Sequence, residues 1–282
     1  MINLNIFSRS IIEALVELEN EYKEKKANSD IETFFKVKKI LNQLNYDYQT
    51  AFSLLDEFRD KIYLNDLSFK DSRKAILYNL IKINEPKWVN FKNFKGKEQT
   101  LLNIKSDINS SNIIQVFEDA NLLGGETFNE EEYIWWTYLL SSLYNKEDLS
   151  KINSGISGEI KTVKFENQYL QENNIEKYAR ILSHEDSSLG YDVQSWRVID
   201  GDLVEIQIEC KNRTKNEKNF FISRNEVECA LQTPSTYFIY FWNEGQYQKK
   251  PNIISFLEIE SLLPTEESPH IKWTELKINT DF

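Results

Sequence analysis

Histidine, cysteine, glycine and proline are all scarce in this 282-residue chain, and each scarcity removes a class of chemistry. His184 and His270 are the only histidines, too few for a multi-histidine zinc site or a two-histidine iron triad. The two cysteines, Cys210 and Cys229, each fall in an expected regular element, which argues against a disulfide framework or a cysteine-based zinc site. The eight glycines include no GxxxxGK[ST] and no GxGxxG, so the phosphate cradle of a nucleotide-hydrolysing or dinucleotide-binding protein is missing. Apolar runs are too short to cross a bilayer, and the N-terminus lacks a basic segment followed by an apolar stretch. A soluble, cytoplasmic protein with no membrane partner is expected. The balance of 34 basic against 45 acidic side chains gives a net charge of -11. That opposes attraction of nucleic acid to the whole surface but leaves room for a local basic cleft or bound cations. Hard-cation chemistry on carboxylates is the class left open.

What is present is aromatic and helical at first. Hydrophobic residues make up 40% of the chain, with 17 Phe, 14 Tyr and 6 Trp, enough for one large core or two smaller ones. The first 95 residues contain no glycine and a single proline, Pro86. Apolar positions recur at helical spacing in Ile11, Ile12, Leu15 and Leu18, in Phe35, Val37, Ile40 and Leu41, and in Phe52, Leu54, Leu55 and Phe58. Further helices are expected over 113–123, ended by Gly124-Gly125, and over 130–144, with Trp135, Trp136, Leu139 and Leu140 as the buried stripe. Between them, residues 82–97 interleave five lysines with Trp88, Phe91 and Phe94. This stretch reads either as a nucleic-acid contact or as a solvated basic strip over anchoring aromatics. The polar run at 146–157 marks the expected boundary between a helical domain, 1–150, and a second domain, 151–282.

In the second domain, Asp192 through Lys211 reads as one hairpin. Asp200-Gly201 between two β-rich runs is a strong turn signal, since both residues tolerate the positive φ of a primed turn. A symmetric turn there pairs Ile199 with Asp202 and Gln194 with Gln207, and sets Asp192 opposite Glu209. Two carboxylates so placed repel unless a positive group lies between them. Strand alternation puts Val204, Ile206, Ile208 and Cys210 on a core face and Glu205, Gln207, Glu209 and Lys211 on the other. That polar face is either the wet side of an amphipathic hairpin or a site. A helix over 159–171, a third strand over 220–223, a short helix over 225–231 and an apolar strand over 237–242 complete the order αβββαβ. The tail from Asn243 reads as irregular, with a last strand over 271–276.

The segment 155–242 resembles the PD-(D/E)XK, or restriction endonuclease-like, nuclease superfamily, and within it the branch of the NO VEIN C-terminal domain. The resemblance rests on four motifs in order, GEIKTVKFE, GYDVQSW, IECKNRT and FISRNE. Cys210 stands where an apolar Val is common in that pattern. The resemblance implies an α/β (α+β) core of order αβββαβ behind a mostly α-helical N-terminal domain. It also implies a Mg²⁺-dependent endonuclease, with Mn²⁺ able to substitute. Asp192 and Glu209 would hold the metal, with Glu159 as an extra ligand, and Lys211 would orient the attacking water.

Other residues carry competing readings. Glu159 also suits the first turn of a helix, and Glu166 lies seven residues on, on the same face. Glu226 matches a family position, yet Ser223–Glu226 is a capping box. Gln207, Arg213 and Arg224 are substrate candidates, the arginines standing near strand ends. His184 with Glu185 and Asp186 is discounted as a metal cluster, because adjacent residues rarely converge on one ion. The expected partner is nucleic acid, DNA favoured, in a restriction or anti-phage setting, with a protein partner reached through the helical domain. A catalytically silent module that binds nucleic acid or assembles a complex is the competing function.

Overall fold

A computed structural model describes residues 6–24, 45–63, 69–89, 95–125, 128–143, 149–213, 219–243, 250–264 and 273–279. The chain divides into two compact units, one of residues 1–94 with 99–124 and the other of 95–98 with 125–282. The expected boundary near residue 150 therefore lies within the second unit, and the division falls at Gly124-Gly125.

The first unit is helical, with α1 (Arg9–Glu24), α2 (Tyr48–Ile62), α3 (Ser72–Asn84), a 3₁₀ turn (Lys87–Val89), all but the first two residues of α4 (Lys97–Lys105), and α5 (Ser110–Asp119). Asp47 and Asp71 cap α2 and α3 by accepting from the backbone N–H groups of Thr50 and Arg73. The stripe Ile11, Ile12, Leu15 and Leu18 of α1 is buried as its spacing predicts, whereas of the α2 set only Leu55 is fully buried. Arg73 fastens α3 to α1 by donating from Nε and Nη2 to the two oxygens of Glu13, at 2.6 and 2.8 Å. Trp88 is buried edge-on against Phe7 and Phe117, so this member of the lysine-aromatic stretch is core. The stripe Phe35–Leu41 and the rings of Phe91 and Phe94 lie outside the described residues.

The second unit begins with α6 (Glu130–Leu143) and α7 (Leu149–Glu172). Helix α7 starts ten residues before the expected position, because Ile152, Ile156, Ile160, Val163 and Leu170 form one buried stripe through the polar run. There follow β1 (Arg180–Ile181), β2 (Val193–Ile199), β3 (Asp202–Arg213), β4 (Asn219–Ser223), α8 (Arg224–Ala230), β5 (Tyr237–Asn243), β6 (Asn252–Ser255), α9 (Phe256–Ile259) and β7 (Glu275–Asn279). Five strands form a mixed sheet in the order β1-β2-β3-β5-β6, in which β3 and β5 are parallel and the other neighbours antiparallel. Strand β4 leaves this sheet and pairs with β7 in a separate two-stranded ribbon. A helical region and a mixed α/β region are thus both present. The strand order is richer than αβββαβ, with β1 and β6 added and the expected third strand displaced.

The hairpin has the expected register, with Ile199 opposite Asp202 and Gln194 opposite Gln207. Its turn carries Asp200 at φ 53° and Gly201 at φ 94°, the left-handed pair that a primed turn requires. Ile206 and Ile208 pack with the α7 stripe on one side of the sheet, with Val204 and Cys210 beside them. Tyr237, Ile239 and Phe241 of β5 pack on the other side with α8, α9 and the β4–β7 ribbon. Being covered on both faces, β5 reads as the continuous apolar run YFIYFW.

Candidate active site

Asp192 stands one residue before β2, where the ladder has just ended. Its N–H donates to the Ile208 carbonyl at 3.0 Å, and its carboxylate Oδ2 accepts from the Cys210 N–H at 2.8 Å. The hairpin register carries Glu209 alongside. Glu209 is buried, and its Oε1 lies 2.7 Å from the Lys211 ammonium, two residues along the same strand face. Lys211 Nζ also lies 3.1 Å from Glu226 Oε2. Glu226 closes the α8 capping box with Ser223, as its spacing predicts, and its carboxylate also pairs with Lys211.

Glu159 reaches the cluster from α7. That helix packs on the Cys210 side of β3, and Glu159 interacts electrostatically with both Asp192 and Glu209. The Ser183 hydroxyl donates to Glu159 Oε2. The Tyr133 hydroxyl has no partner at full hydrogen-bond geometry, yet lies near enough to favour the ionised carboxylate. Burial nevertheless prevails and raises the Glu159 pKa to about 7, with Glu209 adding to the rise. Burial also lifts Asp192 well above the carboxylate range, helped by Glu159, and lifts Glu209, helped by Asp192. For Lys211 burial opposes the charge, but Glu209 and Glu226 outweigh it and keep the ammonium protonated.

The other sequence candidates sit elsewhere. Glu166 is fully buried in a separate cluster, paired with Arg197 and accepting from the Tyr240 hydroxyl at 2.8 Å. Gln207 is turned toward α8 and the following turn, its Oε1 accepting from the Thr233 hydroxyl at 2.8 Å. Arg213 is buried, with Nε donating to Asn243 at 3.3 Å and the guanidinium 5.2 Å from the Phe241 ring centre. Arg224 pairs with Glu228 at 2.6 Å along α8 and covers the Trp273 ring. His184 is buried edge-on against Tyr133, and burial lowers its pKa to about 3. Lys97, counted in the basic stretch, is buried against Glu132 at 2.6 Å. Ser183 and Tyr133 have no signature in the sequence, since a contact across 24 residues, such as Ser183 to Glu159, leaves no local pattern.

The donor chemistry of Asp192, Glu209 and Glu159 suits a hard cation: three oxygen ligands whose buried charges repel one another and call for positive charge between them. As placed, among the described residues, no three His, Cys, Asp or Glu side chains are gathered tightly enough to hold an ion. Lys211 supplies the nearest positive charge instead.

Fold and site together define a mixed α/β domain with a carboxylate-lysine cluster where β2 and β3 meet. Residues 158–254, 97 of the 282, match the family model described as Protein NO VEIN, C-terminal, the branch that the four motifs indicate. The match spans Glu159, Asp192, Glu209, Lys211 and Glu226. No curated protein and no solved structure matches the chain. Among the described residues, no helix is long and apolar enough to cross a membrane.

Proposed function

We propose that this protein is a metal-dependent nuclease of the PD-(D/E)XK type, hydrolysing phosphodiester bonds in nucleic acid at the Asp192–Glu209–Lys211 cluster. The observation that carries the reading is the placement of Lys211. Its ammonium stands on the same strand face as Glu209, beside Asp192, braced by Glu226 from α8. The NO VEIN C-terminal match over the same residues supports it.

Mg²⁺ or Mn²⁺ would be held by Asp192 and Glu209, with Glu159 as a further ligand, and when bound supplies charge to the phosphate oxygens and acidifies a water. The chain's own groups do the rest. Lys211 stays charged, so it orients the attacking water and balances the charge that grows as the water oxygen bonds to phosphorus. The attacking water gives up its proton to solvent, the ester P–O bond breaks, and the departing oxygen takes a proton from solvent. Glu226 is a positioning residue that fixes the ammonium, and the Cys210 N–H fixes the Asp192 carboxylate. DNA is the favoured substrate, and a restriction or anti-phage role is the setting that the resemblance supports.

A second reading has one observation in its favour. Lys211 is already neutralised by Glu209 and Glu226, an arrangement that a silent nuclease-fold module would also keep. Incubating the full chain with plasmid, single-stranded DNA and RNA, in Mg²⁺, Mn²⁺ or EDTA, separates the two. The nuclease reading expects metal-dependent cutting that falls at least about a hundredfold in folded Asp192→Ala and Lys211→Ala variants. Cutting that persists in both variants, or in EDTA, would sink it. Binding without cutting would favour the silent module.

A further inference from the structure

Beside Lys211, where β3 ends, a cavity of about 260 Å³ opens between the main sheet and the β4–β7 ribbon. Lys211, Glu226 and Ser223 line the end nearest the candidate active site, and Arg213, Asn219, Phe221 and the acidic Glu275 are among the residues that line the remainder. We propose that this cavity is a subsite for one unpaired nucleotide adjoining the phosphodiester that is cut. The protein would then act on single-stranded or locally opened nucleic acid. This rests on the nuclease reading of the Lys211 cluster and adds to it the strandedness of the substrate.

Three features carry the inference. The first is the surface of β4. Alternation puts Phe220 and Ile222 in the core and leaves Asn219, Phe221 and Ser223 on the opposite side. Phe221 is 49% exposed, an unusual exposure for a phenylalanine in a paired strand. Directly across the ladder, Lys277 holds its ammonium 5.8 Å from the Phe221 ring centre. An exposed aromatic with a cation beside it is the combination on which an unstacked base and its phosphate settle.

The second feature is Arg213. The Phe241 ring and the Asn243 side chain hold its planar guanidinium at the cavity wall. A guanidinium fixed in this way loses little freedom on taking a phosphate. The third is size. The volume is below that of the usual drug-sized pocket, roughly 300 Å³ and more, so it suits one nucleotide unit and not a stacked pair. A base must leave its duplex partner to enter, which costs least when the strand is already single.

The test measures binding of the full chain by fluorescence anisotropy in Ca²⁺. The probes are a fluorescein-labelled single-stranded oligonucleotide, checked to stay intact, and the blunt duplex of the same sequence. Variants are Phe221→Ala, Phe221→Trp and Asn219→Ala, with Arg213→Lys in place of a truncation that would leave a hole. Each is first checked for an unchanged melting temperature. Wild type is expected to prefer the single strand. Phe221→Ala is expected to weaken that binding by about five- to a hundredfold while leaving the duplex unaffected, and Phe221→Trp to restore it. A preference for duplex, no binding to either probe, or single-strand binding unchanged in Phe221→Ala would each overturn the subsite. Loss of strand preference with Mg²⁺-dependent cutting intact removes the subsite alone. A Phe221-dependent preference without cutting supports the subsite and removes the catalytic reading.

Discussion

Asp192 is held where its own charge is least welcome. It interacts with both Glu159 and Glu209, and both resist ionisation with it. A site of this kind sacrifices stability for function. Asp192→Asn is therefore expected to raise stability by about 0.5–2 kcal/mol at pH 7.5 in denaturant titrations, while abolishing any metal-dependent cutting. The carboxamide oxygen can still accept from the Cys210 N–H. His184 makes the opposite kind of prediction. Its folded pKa is lowered to about 3, so it contributes stability that is fully present above the unfolded value near 6.5 and is lost as pH falls through that value toward 3. Between pH 6.5 and 4.5 this amounts to about 2–3 kcal/mol. In melts across that range, wild type should lose stability relative to His184→Phe, which keeps a ring against Tyr133. Equal loss in both would show that His184 titrates normally. At this scale Asp192, Glu209 and Lys211 were legible in the sequence, because a turn dipeptide and period two are local rules. Ser183, Tyr133 and the bracing of Lys211 by Glu226 depend on long-range contacts that leave no such trace.

The elements follow the same division between local and distant causes. The hairpin, α8 and β5 could be read in advance, since each has a turn, a capping box or an unbroken apolar run of its own. Strand β1 is two residues long and β6 four, too short to carry a pattern. Strand β4 has the alternation of a strand, but nothing in it specifies β7 as its neighbour. The first turns of α7 do not stand out in the sequence because Ser154, Gly155, Ser157 and Gly158 resemble a linker, although its isoleucines continue at helical spacing through them. One backbone position tests how tightly these elements are fitted around the site. Gly190, two residues before Asp192, has φ 78°, and an added Cβ would meet the Asn225 carbonyl oxygen at 2.7 Å and the Cys229 Cβ at 2.8 Å. Its own carbonyl accepts from the buried Tyr237 hydroxyl at 2.8 Å. Gly190→Ala is therefore expected to cost about 2 kcal/mol or more in urea titrations. Gly201→Ala, also at positive φ but with nothing within 4 Å, should cost about 1 kcal/mol. Equal costs would mean that α8 gives way and does not press on the segment leading to Asp192.

At the scale of the whole molecule the charge distribution bears most on function. A net charge of -11 repels a polyanion, so on the proposed nuclease reading contact would be local, at Lys211, Arg213 and Lys277, and aided by a cation among the carboxylates. Of the described residues in the lysine-aromatic stretch at 82–97, Trp88 and Lys97 are buried while Lys82, Lys87 and Lys95 are exposed. Composition gives the number of charges, whereas packing decides which of them reach solvent. On the proposed reading, Asp192, Glu209 and Glu159 form a cation site and are not carboxylates neutralised by Lys211 alone. Titration of the full chain with Mn²⁺, followed by the paramagnetic signal of the free ion, tests this most directly. One Mn²⁺ per chain is expected, displaced by Mg²⁺ and lost in both Asp192→Asn and Glu209→Gln. No binding by wild type, or binding undiminished in both variants, would contradict it.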